Sequence, residues 1–142
     1  MDQMFSKFQP TALSLFRFIT GLLLFQYGVA KILQFPALPY FANIPPLILA
    51  AGWLELVLGA LLILGLFTRP VAFILSGEMA FAYFIEHFPN SFFPLLNEGT
   101  LAIEFCFACL YLASAGGGPL SLDALLRART TRQPETPSQS RR

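Results

Sequence analysis

The chain has 142 residues, of which 56% are hydrophobic and only 12% charged, with a net charge of +1 and a mean hydropathy of +0.64. A soluble domain normally carries about 25% charged residues, so half of the usual solvating surface is missing and the composition is that of a protein living in a lipid bilayer. The small net charge excludes the basic field of a nucleic-acid binder, and the length leaves no room for a separate soluble catalytic module.

Residues 1–10 are mixed in character, and Pro10 predicts a break just before a first helix over 11–33. That apolar stretch is too long for the core of a signal peptide and has no small-residue exit, so it is expected to stay in the mature protein. The segment QFPALPYFANIPP cannot continue a helix and reads as a loop at the membrane surface. A second helix is expected over 46–66, and the tight link FTRP (67–70) makes the third, 70–87, its antiparallel neighbour. FPNSFFPLLNEG is another aromatic loop. The fourth helix, 98–115, is stopped by Gly116-Gly117-Gly118-Pro119. Ser121 has the character of an N-cap for a short amphipathic helix, SLDALLRA, with Asp123 in its first turn. The expected organisation is therefore a transmembrane domain over 1–126 and a polar, disordered cytoplasmic tail over 127–142. The predicted fold is all-α: an antiparallel up-down four-helix transmembrane bundle followed by the amphipathic helix.

Loop charges orient it. Lys7, Arg69, Arg127, Arg129, Arg132, Arg141 and Arg142 fall at the N-terminus, in the link between the second and third helices, or in the tail. By the positive-inside rule both termini are cytoplasmic, in a bacterial inner membrane. Phe35, Tyr40, Phe41, Phe88, Phe92 and Phe93 gather in the two outer loops as an interfacial belt.

Each apolar stretch carries an ionisable residue: Arg17, Glu55, Glu78 and Glu104 in turn. At 1.5 Å per residue these lie roughly 9–16 Å above the cytoplasmic edge, close enough to share one interior layer. A charge at that depth is paired, faces the interior or is functional. On the first helix Arg17, Gly21, Leu24, Gly28 and Lys31 form one stripe, with glycines that admit another backbone. Gly52, Glu55 and Gly59 form a matching face on the second, and Asn97, Glu104, Ala108 and Tyr111 share a side of the fourth. One reading is structural, with Arg17 pairing with the glutamates and fixing register. The other is chemical: three carboxylates and one arginine leave an acid that handles protons or hydrogen-bonds a quinone-like carbonyl.

A second polar layer, Lys31, Glu86, His87, Asn97 and Glu98, lies near the outer surface and forms a mouth for an anion or quinone head group. A single histidine does not build a metal site, and none is expected. Cys106 and Cys109 have dithiol spacing, but they sit mid-helix in apolar surroundings and read as packing residues. Arg69-Pro70 reads as a turn anchor at the lipid head groups.

The ordered set of an arginine in the first helix, YGVAK, GWLELVLGALLILGLFTRP, GEMAFAYFIEH, NEG and GGGPLSLD resembles the DoxX family of four-helix membrane proteins, over about residues 13–126. Where the family has N-G-G-E this chain reads Asn97-Glu98-Gly99-Thr100, and Glu104 is an added acid. The resemblance implies interest in Arg17, Lys31, Glu55, Arg69 and His87. The family includes a subunit of an archaeal thiosulfate:quinone oxidoreductase and members associated with oxidative-stress and thiol-redox systems. The expected function is a quinone-linked redox subunit in which Glu55, Glu78 and Arg17 manage protons while Lys31, His87 and Glu104 hold the quinone. No haem, flavin or iron–sulfur motif is visible, so electrons would come from a partner subunit or substrate. The rival is a non-catalytic membrane scaffold or assembly factor. Glycine- and cysteine-bearing faces leave a homo-oligomer open.

Overall fold

A computed structural model describes residues 2–131. Among them the regular structure is entirely helical: α1 (Asp2–Leu33), a short 3₁₀ turn (Pro39–Phe41), α2 (Pro46–Leu64), α3 (Thr68–Ala82) running into a π turn (Tyr83–His87), α4 (Thr100–Ala115) and α5 (Leu122–Thr130). Two helical segments, Phe5–Leu33 and Pro46–Leu64, are long and apolar enough to cross a membrane, while Thr100–Ala115 is apolar but shorter.

Several predicted boundaries move. Pro10 lies inside α1, which starts nine residues earlier than expected. Pro10 lacks the N–H that would reach back to Ser6 O, while its own carbonyl accepts a bond from the Ser14 hydroxyl at 3.1 Å. α2 stops at Leu64 because Gly65 takes a left-handed conformation (φ 69°) and closes a Schellman turn: Gly65 N–H donates to Leu62 O and Leu66 N–H to Leu61 O. α3 therefore starts at Thr68, two residues early, and α4 begins at Thr100 after Gly99. α5 continues through Thr130 with Ser121 as its cap, its hydroxyl accepting from Ala124 N–H at 3.2 Å, so residues 127–130 belong to a helix and not to the expected tail. The rest of that tail, 132–142, lies outside the described residues.

The helices associate in two pairs. α1 packs along α2 and α3 along α4, with sparser contact between the pairs. Glycine explains the first pair. A β-carbon on Gly21 would strike Ile63 backbone, one on Gly28 the Leu56 backbone, and one on Gly59 the Phe25 backbone. The order of these contacts makes α1 and α2 antiparallel. Without a hydrophobic drive between helices in lipid, such backbone approach is a main source of attraction. Leu24, Leu62, Leu75, Met79, Phe105 and Leu112 fill the core where the pairs meet. Large apolar side chains, among them Phe18, Leu22, Trp53, Val57, Phe73 and Phe107, face outward. Most of the expected aromatic belt is also exposed, but Phe41 is turned inward and is only 6% exposed.

Candidate functional site

Two polar centres emerge, and Arg17 belongs to neither the acids nor the cavity. Its side chain is 2% exposed. Nε donates to Gly117 O at 2.9 Å, Nη1 to Leu62 O and Ile63 O, and Nη2 to Leu120 O at 2.7 Å. Those carbonyls sit at the C-terminal end of α2, where backbone acceptors lack intrahelical partners, and in the loop after α4. The expected layer joining Arg17 to the glutamates is thus replaced by a backbone clamp. Arg69 does the same for α4, donating to Ser114 O at 2.6 Å. Asp123 supplies the opposite sign: its carboxylate oxygens accept from Phe67 N–H and Thr68 N–H, each at 2.8 Å, at the N-terminus of α3. Partial burial works against its ionised form, but the Thr68 and Phe67 amides and nearby Arg127 outweigh this and hold Asp123 below the usual carboxylate range.

The second centre is a cavity of about 620 Å³ between the two helix pairs. Lys31 and Glu55 form its ion pair. Nζ lies 2.7 Å from both carboxylate oxygens, with side chains 12% and 4% exposed. The ammonium also stands 5.8 Å from the Phe41 ring centre and 6.0 Å from that of Tyr27, within reach of cation–π attraction. Gly52 makes room for it: a β-carbon there would come within 2.8 Å of the Lys31 β-carbon. The stripe of glycines read from the sequence is what brings Lys31 and Glu55 together.

Glu78 enters from α3. Both its carboxylate oxygens are shielded from solvent and have no hydrogen-bond partner, and its side chain lines the same cavity. Buried polar groups are almost always satisfied, so an unmatched carboxyl group in a cavity wall requires a bound proton, a water or a ligand donor. At the end of the cavity formed by the π turn and the loop before α4, Glu86, His87 and Glu98 line it. The π turn, closed by Phe88 N–H to Tyr83 O at 2.9 Å, fits an extra residue into one turn. His87 Nδ1 donates to Asn97 O at 2.9 Å. A carbonyl can only accept, so in the neutral ring Nε2 is left as the acceptor. Asn97 in turn ties the loop together through Ser91 O and Gly99 N–H.

The structure brings together Lys31, Glu55, Glu78 and His87. It does not bring in Glu104, which lies exposed on the outer face of α4 with Tyr111, so the expected common side with buried Asn97 does not form. Cys109 is fully buried in the core with Cys106 packed beside it, and the Ser76 hydroxyl donates to Cys106 O at 2.8 Å. Among the described residues no three of His, Cys, Asp and Glu converge as metal ligands. Tyr27 and Phe41, which flank the ammonium, were not singled out by charge. Only the four-residue spacing of Tyr27 and Lys31 along the helix could have pointed to one of them.

Long apolar helices around a polar interior define a membrane protein. The chain belongs to the DoxX family of membrane proteins, whose model matches residues 12–88. It is also similar to an uncharacterized protein of Haemophilus influenzae, 42% identical over 123 residues that cover 82% of this chain and 92% of the relative. No solved structure matches it.

Proposed function

We propose that this protein is a quinone-linked redox subunit of the bacterial inner membrane, folded as an antiparallel four-helix transmembrane bundle with both termini cytoplasmic. The observation that carries this reading is Glu78, a carboxyl group with no partner in the wall of a largely apolar cavity, facing the same space as the Lys31–Glu55 pair. An apolar pocket with a few placed polar groups suits a small hydrophobic ligand bearing hydrogen-bonding ends. A quinone fits that description, and when bound it would supply two-electron, two-proton chemistry. Glu78 would hold one oxygen and hand it a proton, the Lys31–Glu55 pair would orient the ring, and His87 Nε2 with Glu86 and Glu98 would pass protons in from the outer surface as the quinone is reduced. Electrons would come from a partner subunit or substrate.

The test is direct. Organic extraction of protein purified from native membranes is expected to release stoichiometric quinone. Glu78→Gln, folded and inserted, is expected to lose donor-to-quinone electron transfer by at least about 100-fold. No quinone and unchanged transfer would refute the proposal.

One observation favours a second reading. Glu104 stands exposed among Leu101, Phe107 and Tyr111 on α4, where an acid facing lipid is costly. A neighbouring subunit covering α4 would satisfy it, as a membrane scaffold or assembly factor requires. Co-purification of a stable partner without quinone would favour this alternative.

A further inference from the structure

The cavity opens sideways. Leu54 of α2 and Ile74 and Phe81 of α3 line it, yet they stand 41%, 48% and 69% exposed on the outer surface. Tyr40, Leu47, Ile85 and Leu101 are also exposed lining residues, but they sit nearer the loops, whereas Leu54, Ile74 and Phe81 lie within about one helical turn of Glu55 or Glu78. Between them the lining is small, Ala51 on α2 and Ala82 on α3. α2 and α3 pack against each other far less than each packs against its own partner; α1 and α4 touch even less, but there the lining residues Leu24, Ala102 and Phe105 are buried. Gly77, next to Glu78, has no atom within 4 Å of where its β-carbon would stand, so the outer face of α3 is notched at that level. The polar residues Glu86, His87 and Glu98 lie at the other end, towards the outer loops.

We propose that the cavity takes up a tailed amphiphile laterally from the bilayer, with its polar ring between Glu78 and the Lys31–Glu55 pair and its apolar chain leaving between α2 and α3. The ring assignment rests on the quinone reading above; the entrance and the tail go beyond it. A chain leaving on this side stays in contact with apolar residues and acyl tails throughout. The polar end of the cavity would instead force it past three ionisable groups. The ring alone faces the polar end, from which protons can reach it.

Two quinones separate the possibilities in nanodiscs: a bare benzoquinone head group, and the same head group carrying a decyl chain. Quenching of Trp53, the single tryptophan of the chain and the neighbour of Leu54, reports binding. After correction for partitioning, the tailed form is expected to bind at least about tenfold more tightly. Ala51→Phe, and independently Ala82→Phe, should weaken the tailed form about tenfold and the bare ring less than about twofold. Equal binding of the two quinones, or equal loss in both variants, overturns the lateral entrance. A ligand-free test runs alongside in a Cys106→Ala/Cys109→Ala background. Ala51→Cys and Ile74→Cys should resist a charged, impermeant thiosulfonate, which reacts with water-exposed thiolates. Labelling by the charged reagent overturns the entrance whatever the ligand. If neither quinone quenches Trp53, the occupant and the quinone reading both fall, and the labelling pattern alone then decides whether the opening faces lipid.

Discussion

At the scale of single residues, three buried charges solve the same problem differently. Lys31 and Glu55 neutralise each other with both carboxylate oxygens engaged. Removing one member leaves the other uncompensated, so Lys31→Met is expected to destabilise the protein by about 3–5 kcal/mol, whereas Lys31→Met with Glu55→Leu should recover much of that loss. Thermal unfolding in detergent checks both. Arg17 is satisfied without any carboxylate, by four carbonyls. A lysine ammonium cannot reproduce that planar fork, and Arg17→Lys should cost about 2–3 kcal/mol while leaving quinone binding unchanged. A loss of binding in a folded Arg17→Lys protein would return this residue to the site. Arg17 also shows why its partners were not legible in the sequence. Charge counting looks for an opposite charge, and a carbonyl at a helix end appears in no composition.

At the scale of elements, glycine placement governs the α1–α2 contact and capping governs the ends. Gly28→Leu places a side chain against Leu56 backbone and should separate the helices, lowering stability by several kcal/mol, in the range of about 2–4. Cross-linking between the two helices would report the separation. Asp123 fastens α5 to the start of α3, and Asp123→Ala should cost about 1 kcal/mol. Because folding lowers the pKa of this group, its stabilisation is complete above the ordinary carboxylate value of about 3.9 and fades as pH falls through the lower folded value. Hydrogen exchange of α5 amides should therefore be flat from neutral pH to about pH 4 and rise only below it, after correction for intrinsic exchange. The glycine stripe of α1 was legible because Gly21 and Gly28, seven residues apart, fall on one helix face with Arg17, Leu24 and Lys31. The side chosen for Glu104 was not legible, since α4 is apolar all round and has no polar face to set its rotation. Depth follows from counting residues, but azimuth follows only from packing.

At the scale of the whole molecule, the two helix pairs leave a cleft that becomes useful only in a bilayer. If the side carrying Lys7, Arg69, Arg127 and Arg129 is cytoplasmic, as the positive-inside rule has it, a reporter active only in the cytoplasm is expected to be active when fused to either terminus. A periplasmic signal from either end would invert the assignment of His87 and Glu98 to the outer side. The all-helical class and family were legible in the sequence, because apolar length and the ordered motifs are one-dimensional properties. The cavity was not, because it depends on how far α2 and α3 diverge, which no local pattern records.

The Arg17 clamp also imposes an order on biosynthesis. Two of its acceptors, Leu62 and Ile63, become available when α2 leaves the ribosome, but Gly117 and Leu120 follow only after α4. Until then the guanidinium is only half dressed inside the membrane. A chain terminated at residue 115 would lack both later carbonyls and leave Nε and Nη2 without those acceptors.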